Sequence, residues 1–277
     1  MTLFAALALR ANCEVLLANK LAVPMYAAPD GSQALVSQVL YGSSLIVMRE
    51  VDNEWVFVQS RDGYQGYVEL DSLLPDNPIW RAGADEYQVC ARMAFVYKRP
   101  MIASATVNLF SYSTRIHVIE SCRKDKRWVH IMLADGSTAW MMWGDIEKIR
   151  IKSVTDVLEL SKIFLGTPYL WGGVSSLGYD CSGFVQMLGR QMGYLMKRDA
   201  RQQADDPGLV VVARADMQPG DFIYFGENDI DHVALYLGQN QIIHASVVDD
   251  TPRLVISDLD HLQLYFNCVR RVPKQVN

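Results

Sequence analysis

The sequence predicts an α+β protein, in which small β modules precede a domain built from helices and an antiparallel sheet. Three observations predict this class. A β-rich segment occurs twice in the first half, apolar residues at helical spacing follow Cys181, and two β runs flank the turn Gly238-Gln239-Asn240. Of the 277 residues, 50% are apolar and 21% are charged, so the chain is globular and long enough for several domains.

The duplicated segment has a constant offset. The Trp-Val and Asp-Gly pairs that begin at Trp55 and Asp62 recur at positions 128 and 135, which is 73 residues later in both cases. In each copy a β-rich run precedes the Asp-Gly turn and a short aromatic strand follows it, as in a β-hairpin. A fixed offset indicates a duplicated structural unit. We therefore expect a first β module over residues 1–80 and a second over 81–150.

The third expected domain covers residues 151–277. Ser153 and Asp156 have the spacing of a helix capping box, and the apolar pattern after them predicts a helix that runs to about Phe164. A second helix is predicted to begin near Cys181. Its apolar residues repeat at helical spacing: Phe184, Val185, Leu188 and Met192.

Charge and cysteine content narrow the function classes. The net charge is −5, and no basic run is extensive enough to predict a nucleic-acid partner. The five cysteines are widely spaced without a Cys-x-x-Cys pair, which predicts reduced thiols in a reducing compartment and no metal site. The apolar run 1–9 lacks a basic start and a cleavage site, and no stretch could span a bilayer. We expect a cytoplasmic protein with no membrane partner.

Cys181 is the candidate nucleophile because it lies at a predicted helix start. The helix dipole and the free N–H groups there stabilise a thiolate, so we expect a lowered thiol pKa. A thiolate attacks carbonyl carbons. An isolated cysteine is more often a small buried residue, and the prediction therefore requires a base nearby.

His232 and His244 are the candidate partners of the thiol, since they flank the turn between the two β runs. An odd loop centred on Gly238 would place the two rings directly opposite each other, and a loop centred on Gln239 would keep them on one face. An even loop would put them on opposite faces. One ring would take the thiol proton and the other would orient it. Chain order favours His232 as the base, but the sequence alone does not assign the roles.

Four separated motifs resemble the NlpC/P60 family of cell-wall cysteine peptidases over residues 153–272. They read GTPYLWGG, DCSGF, DHVALYLG and IHAS, at 166–173, 180–184, 231–238 and 243–246. The resemblance implies a papain-like α+β domain with the nucleophile on a helix packed against an antiparallel sheet. It assigns Cys181 as nucleophile, His232 as base and His244 as the third polar member, with no metal or other cofactor.

The β modules resemble the bacterial SH3-like barrel (SH3b), the first more closely than the second. SH3b modules ahead of such a domain are similar to the γ-D-glutamyl-L-diamino acid endopeptidases. This resemblance implies hydrolysis of the γ-D-glutamyl–diamino acid bond through a thioester intermediate. The implied partners are peptidoglycan stem peptides with a free N-terminal L-Ala, and the preferred diamino acid stays open.

The resemblance also assigns substrate-binding residues. Asp199 matches the family carboxylate that holds the substrate ammonium, although a surface salt bridge with a neighbouring arginine is the alternative. Tyr64 matches the module tyrosine that lines the same pocket. Residues that flank the motifs are expected to shape the subsites: Tyr169, Trp171, Asp180 and Ser182. Tyr169 is also a candidate oxyanion donor together with the Cys181 backbone N–H.

Three other functions are compatible with the sequence. An endopeptidase that remodels intact peptidoglycan would accept stems with a blocked amine. A non-enzymatic wall-binding adaptor, built on the paired β modules, would keep its function after Cys181→Ala. An acyltransferase on a related fold would need a long apolar channel.

Overall fold

The computed structural model describes residues 15–31, 34–83, 86–247, 251–260 and 265–273. The N-terminal apolar run 1–9 therefore lies outside the described residues. The chain divides into two compact units between Ile149 and Arg150. Within the described ranges, no helix has the length and apolar character needed to cross a bilayer.

The first unit contains two seven-stranded antiparallel sheets. The first sheet is formed by β1 (Val15–Ala18), β2 (Ala22–Tyr26), β3 (Leu35–Leu40), β4 (Ser44–Glu50), β5 (Trp55–Gln59), β6 (Gln65–Glu69) and β7 (Leu73–Pro75). The second is formed by β8 (Tyr87–Val89), β9 (Met93–Tyr97), β10 (Thr106–Ser111), β11 (Arg115–Ser121), β12 (Trp128–Met132), β13 (Thr138–Met142) and β14 (Ile146–Lys148). Helix α1 (Pro78–Gly83) connects them, and a short 3-10 helix precedes the last strand of each sheet, at Leu70–Ser72 and Trp143–Asp145.

The two sheets have the same strand order. The orders are β3-β2-β6-β5-β4-β1-β7 and β10-β9-β13-β12-β11-β8-β14. The offset is 71 residues for β4 and β11, which begin at 44 and 115, and 73 residues for β5 and β12, which begin at 55 and 128. The change falls in the intervening loop, which is longer in the second copy. This loop explains why the constant offset in the sequence begins only at Trp55.

The two sheets share part of their core. Trp80 of α1 is 1% exposed, and its Nε1–H donates to the Gly42 carbonyl at 3.2 Å. The Tyr41 ring stacks on Phe110 with centroids 4.6 Å apart, and its hydroxyl accepts from the Ala134 backbone N–H at 2.9 Å. Gly42 has a φ of +72°, and a Cβ at this position would collide with the Trp80 ring. Side chains of both sheets therefore pack around one tryptophan.

The second unit places helices on a six-stranded antiparallel sheet. Its helices are α2 (Val154–Lys162), α3 (Cys181–Gln191) and α4 (Ala200–Ala204), with a 3-10 helix at Arg214–Asp216. The sheet contains β17 (Val210–Val212), β18 (Phe222–Phe225), β19 (His232–Gly238), β20 (Gln241–Ser246), β21 (Arg253–Asp258) and β22 (Phe266–Arg271) in the order β17-β22-β18-β19-β20-β21. A separate pair contains β15 (Val174–Ser175) and β16 (Gly178–Tyr179). Helix α3 packs against β19 and β20, which is the expected arrangement of a helix on an antiparallel sheet.

The capping box that begins the second unit is present. Ser153 Oγ accepts from the Asp156 backbone N–H at 3.1 Å, and the Asp156 carboxylate accepts from the Ser153 N–H at 3.3 Å. These bonds satisfy N–H groups that a helix start leaves without partners. The helix ends at Lys162, two residues before the expected Phe164, whose side chain is nevertheless fully buried.

Candidate active site

Cys181 is the first residue of α3, as the sequence predicts. The preceding Asp180 is the N-cap: its Oδ1 accepts from the Gly183 backbone N–H at 2.6 Å. A carboxylate at this position satisfies a free N–H group and interacts favourably with the helix dipole. Nearly all of α3 is buried, and Cys181 itself is 7% exposed. The thiol is therefore fixed by the start of a buried helix.

The glycine-rich segment before the helix permits close backbone packing around this N-terminus. The Gly172 N–H donates to Asp180 Oδ2 at 2.8 Å, and the Asp180 N–H donates to the Gly173 carbonyl at 3.2 Å. A Cβ on Gly183 would collide with the Gly173 carbonyl, and one on Gly173 would collide with the Gly178 carbonyl. Larger residues at these positions would move the backbone that holds the nucleophile.

A buried ion pair fixes the same N-cap. Arg198 is 1% exposed and donates to both carboxylate oxygens of Asp180, at 3.0 and 2.6 Å. It also donates to Ser182 Oγ at 2.9 Å. Two of the expected subsite residues, Asp180 and Ser182, thus have buried side chains that hold the helix start. Sequence reasoning did not find Arg198 in this position, because its pairing depends on the path of the chain after α3.

The hairpin of β19 and β20 brings His232 and His244 together by a register that the sequence did not define. The register pairs Leu235 with Ile243 and Tyr236 with Ile242, which corresponds to a centre at Gln239. Of the alternatives left open by the sequence, the loop centred on Gln239 is therefore the one found, and the two histidines do not lie directly opposite each other. They are diagonal neighbours on the same face, which is the outcome expected for a loop centred on Gln239.

A β-bulge is responsible for this register. The tight turn contains two residues, Gln239 and Asn240, with φ values of +50° and +64°. An even loop alone would separate the histidines onto opposite faces. However, Gly238 pairs with Gln241 whereas Tyr236 pairs with Ile242, so Leu237 is an extra residue on β19. The extra residue restores the parity that places both rings on one face.

The two imidazoles are in direct contact. His232 Nε2 lies 2.8 Å from His244 Nδ1, and the ring planes are nearly perpendicular, with centroids 4.9 Å apart. His244 is 1% exposed, and its Nε2 lies 3.0 Å from Ser257 Oγ on β21. Because His232 Nε2 is engaged by His244, its Nδ1 is the ring nitrogen left to face a thiol. Sequence reasoning did not include Ser257, since its contact depends on the pairing of β20 with β21.

Cys181 Sγ lies against the backbone on both sides of His232. It is 4.0 Å from the Asp231 carbonyl oxygen, and the Val233 backbone N–H interacts with the sulfur. The packing of α3 on β19 thus brings the thiol to the strand position that carries the first histidine.

The protonation of the pair differs from the expectation of an acidified thiol. Burial, and secondarily the charge of Asp180, raises the pKa of the Cys181 thiol to about 12, although backbone N–H groups and Arg198 act in the opposite direction. Burial and the neighbouring His244 lower the pKa of His232 to about 3. The predicted lowering of the thiol pKa is therefore wrong, because desolvation outweighs the helix N-terminus. These two shifts favour a protonated thiol and a neutral imidazole near neutral pH.

The remaining expected site residues occupy different environments. Tyr169 is half-buried, and burial together with the charges of Cys181 and Asp180 raises the pKa of its phenol, which keeps the hydroxyl protonated. Trp171, two residues further along the chain, is 64% exposed. Tyr64 lies in the first unit, where it packs partly against the core of the first sheet.

Asp199 is half-buried at the start of α4. The two arginines nearest to it in sequence contact other carboxylates: Arg198 pairs with Asp180, and Arg201 pairs with Asp229 at 3.0 Å. Among the described residues, no group of three or more His, Cys, Asp and Glu side chains is arranged to hold a metal ion.

The fold and the site define a helix-on-sheet protein with a cysteine at the start of the buried helix. Its sulfur lies against the backbone next to His232, and His232 contacts His244. The family model described as the NlpC/P60 family matches residues 166–267, and the bacterial dipeptidyl-peptidase SH3 domain matches residues 25–73. A curated relative named dipeptidyl-peptidase 6, from Lysinibacillus sphaericus, is 31% identical over 235 residues, which cover 80% of this chain and 84% of the relative. The chain belongs to the NlpC/P60 family.

Two further comparisons agree with this assignment. A relative from Bacillus cereus named gamma-D-glutamyl-L-lysine dipeptidyl-peptidase is 25% identical over 259 residues, covering 86% of this chain and 76% of the relative. The crystal structure of an NlpC/P60 family protein from Bacillus cereus superposes with a TM-score of 0.82 at 23% identity, covering 93% of this chain and 99% of that chain. The fold is therefore the same as in that protein.

Proposed function

We propose that the protein is a cysteine peptidase that hydrolyses the γ-D-glutamyl–diamino acid bond of peptidoglycan stem peptides with a free N-terminal L-Ala. The observation that carries this proposal is the contact of His232 with His244 beside the Cys181 thiol. Membership in the NlpC/P60 family and the names of the two curated relatives support the substrate class.

The chemistry begins from the neutral pair. As the substrate carbonyl approaches, Nδ1 of His232 takes the Cys181 proton, and the sulfur forms a bond to the γ-carbonyl carbon of D-glutamate. The imidazolium is stabilised by His244 through Nε2 and returns its proton to the departing amine of the diamino acid. A water molecule, deprotonated by His232, then hydrolyses the thioester and regenerates the thiol. No step requires a metal or another cofactor.

The developing oxyanion needs hydrogen-bond donors. The Cys181 backbone N–H lies at the start of α3, where helical N–H groups lack partners within the helix. The Tyr169 hydroxyl stays protonated because the pKa of the phenol is raised. We assign these two groups as the donors, which follows the general requirement for groups that bind the charge formed in the transition state.

Substrate selection is assigned to residues around this centre. Asp199 is the proposed carboxylate for the free ammonium of L-Ala, and Tyr64 of the first module is a proposed substrate-binding residue. The exposed Trp171 ring supplies apolar surface for the stem. Asp180 and Ser182 act on the substrate indirectly, by fixing the backbone that presents the thiol.

The organisation into three domains is part of the proposal. The identical strand order of the two sheets supports a second SH3b-like module over residues 81–150, after a first module over 1–80 and before a catalytic domain over 151–277. We also propose a cytoplasmic location, where stem peptides released from the wall carry a free amine. Free thiols at Cys122, Cys181 and Cys268 are compatible with a reducing compartment.

The test uses defined tripeptides and mass spectrometry. L-Ala-γ-D-Glu-L-Lys and its diaminopimelate counterpart are incubated with the protein, with Cys181→Ala as the inactive control. We expect the dipeptide L-Ala-D-Glu and the free diamino acid as products, and no products with the Cys181→Ala variant. Products of equal yield from that variant would contradict the thiol mechanism.

N-acetylation of the L-Ala amine separates the proposed substrate from intact wall. We expect the acetylated tripeptide to be cleaved far more slowly, and Asp199→Asn to reduce the difference between the two peptides. Preference for the acetylated peptide would instead favour an endopeptidase on intact peptidoglycan. This second function is considered because a murein DD-endopeptidase of Escherichia coli is 26% identical over 160 residues, 55% of this chain.

A further inference from the structure

We propose that Ser257 is a positioning residue, whose hydroxyl accepts a hydrogen bond from His244 Nε2 and thereby fixes the proton positions on both histidines. The inference rests on the proposed function, since it concerns the same reaction. It adds a fourth member to the cluster formed by Cys181, His232 and His244.

The side chains of His232, His244 and Ser257 form a continuous chain of hydrogen-bond contacts. His232 Nε2 is 2.8 Å from His244 Nδ1, and His244 Nε2 is 3.0 Å from Ser257 Oγ. Both distances are within the range of ordinary hydrogen bonds. The middle ring is 1% exposed, so bulk water has almost no access to it. Ser257 is half-buried at the outer end of these contacts.

The position of Ser257 follows from the pairing of β20 and β21. His244 lies opposite Val255, and Ile242 lies opposite Ser257. Side chains alternate along a strand, and residues paired across an antiparallel ladder share a face. Ser257 is therefore a diagonal neighbour of His244 on the same face. The ladder that holds it there is continuous over the whole of β20.

Proton positions follow from the requirement that His232 acts as a base. A neutral imidazole has one N–H and one lone pair. The lone pair of His232 must be on Nδ1 to accept the thiol proton, so its own proton is on Nε2 and is donated to His244 Nδ1. The proton of His244 is then on Nε2, where Ser257 Oγ is the acceptor. With the opposite assignment, His232 Nδ1 carries a proton and cannot accept one from Cys181.

The same assignment holds after proton transfer. The His232 imidazolium has protons on both nitrogens, so His244 must still accept at Nδ1 and donate from Nε2. Without the Ser257 oxygen, a buried N–H group loses this acceptor, which disfavours the assignment that catalysis requires. For histidines that bind metals, removal of the group that orients the ring from its second nitrogen typically costs about 10- to 100-fold, and we expect an effect of this order here.

A matched pair of variants tests the hydroxyl. Both variants add a methyl group to Cβ. Ser257→Thr keeps the hydroxyl, whereas Ser257→Val replaces it by a second methyl group of nearly the same size, and both residues suit a strand. With the tripeptide substrate we expect Ser257→Val to lose about tenfold in kcat with little change in KM, at the lower end of that range. Ser257→Thr should stay within about twofold of the parent, because its hydroxyl can restore the contact. Equal kcat values for the two variants would overturn the proposal.

Nitrogen-15 NMR of the histidines tests the proton positions without substrate. In the parent protein we expect the proton of each ring on Nε2, with Nδ1 unprotonated. A His244 proton on Nδ1 would overturn the proposal, even if Ser257→Val does not fold. If the parent protein fails to cleave the tripeptide, the proposed function fails, whereas the NMR result still decides the proton assignment.

Discussion

At the residue scale, burial favours the neutral forms of both members of the proposed catalytic pair, Cys181 and His232. Burial raises the pKa of the thiol and lowers that of the imidazole. An ion pair between them would require both charges to be desolvated beside Asp180, which already carries a negative charge. Proton transfer is therefore coupled to attack on the substrate, and the free thiol should react slowly with alkylating reagents near neutral pH.

The lowered pKa of His232 predicts how the stability of the second unit depends on pH. An unfolded histidine titrates near 6.5 and the folded one at about 3, so between these values the unfolded state binds the extra proton. The contribution of His232 to the free energy of unfolding should therefore be fully present above pH 6.5. It should fall on acidification by up to about 1.4 kcal/mol per pH unit from this group. Hydrogen exchange of the α3 amides, measured from pH 7 to 4, reports this slope.

Carboxylates also titrate in this pH range and contribute to the same slope. The test therefore compares the slope of the parent protein with that of histidine variants. His232→Gln should flatten the slope relative to the parent. His130→Gln, which changes a half-buried histidine in the first unit, should leave it unchanged. Identical slopes for the parent and His232→Gln would show that the imidazole is not held neutral by burial.

At the element scale, the hairpin of β19 and β20 sets the geometry of the histidine pair. Its turn residues Gln239 and Asn240 have positive φ values. Glycine and asparagine adopt this backbone conformation most readily, and other residues do so at a cost. The bulge at Leu237 directly precedes this turn, because Gly238, the next residue, already pairs with Gln241 across it. One short segment therefore contains both the strained turn and the bulge that sets the pairing of β19 with β20.

Substitutions at Gln239 test this relation. Asparagine tolerates the left-handed region, so Gln239→Asn should raise the free energy of unfolding by about 0.5 kcal/mol, whereas the β-branched Gln239→Val should lower it by about 1–2 kcal/mol. Urea denaturation of the full-length protein provides the measurement. The control is Gln241→Val, which makes the same change in an exposed strand position and should have an effect below about 0.5 kcal/mol. Equal effects of the two valine substitutions would contradict the assigned turn geometry.

The hairpin also shows how far the sequence could predict the site. The DCSGF motif and its apolar spacing were sufficient to place Cys181 at a helix start, and the two β runs were sufficient to place the histidines on neighbouring strands. The register was not predictable, because one bulged residue reverses the parity that a turn length implies. Ser257 and Arg198 were missed for a related reason: each contact joins segments whose relative position is set only by the tertiary fold.

At the scale of the whole molecule, the chain repeats one sheet topology and then adds a helix-on-sheet domain. The Trp-Val and Asp-Gly pairs predicted the repeat from β5 onward, but not in the earlier strands, where the offset changes from 71 to 73. The shared core around Trp80 was also not predictable, since that residue lies outside the repeated segments. Trp80 packs in one cluster with Leu17 of β1, with Tyr41 of the connection after β3, and with apolar side chains of the second sheet.

Removal of the Trp80 side chain should therefore affect both sheets of the first unit. Trp80→Ala removes a ring that is 1% exposed and should lower the free energy of unfolding by about 3–5 kcal/mol. Amide hydrogen exchange should show loss of protection in β5 and β12 together, because both sheets pack around the same ring. Ile79→Ala, at an adjacent residue that is 66% exposed, is the matched control and should change stability by less than about 0.5 kcal/mol. Loss of protection in β12 alone would show that the first sheet is stable without this core, and that the two modules unfold separately.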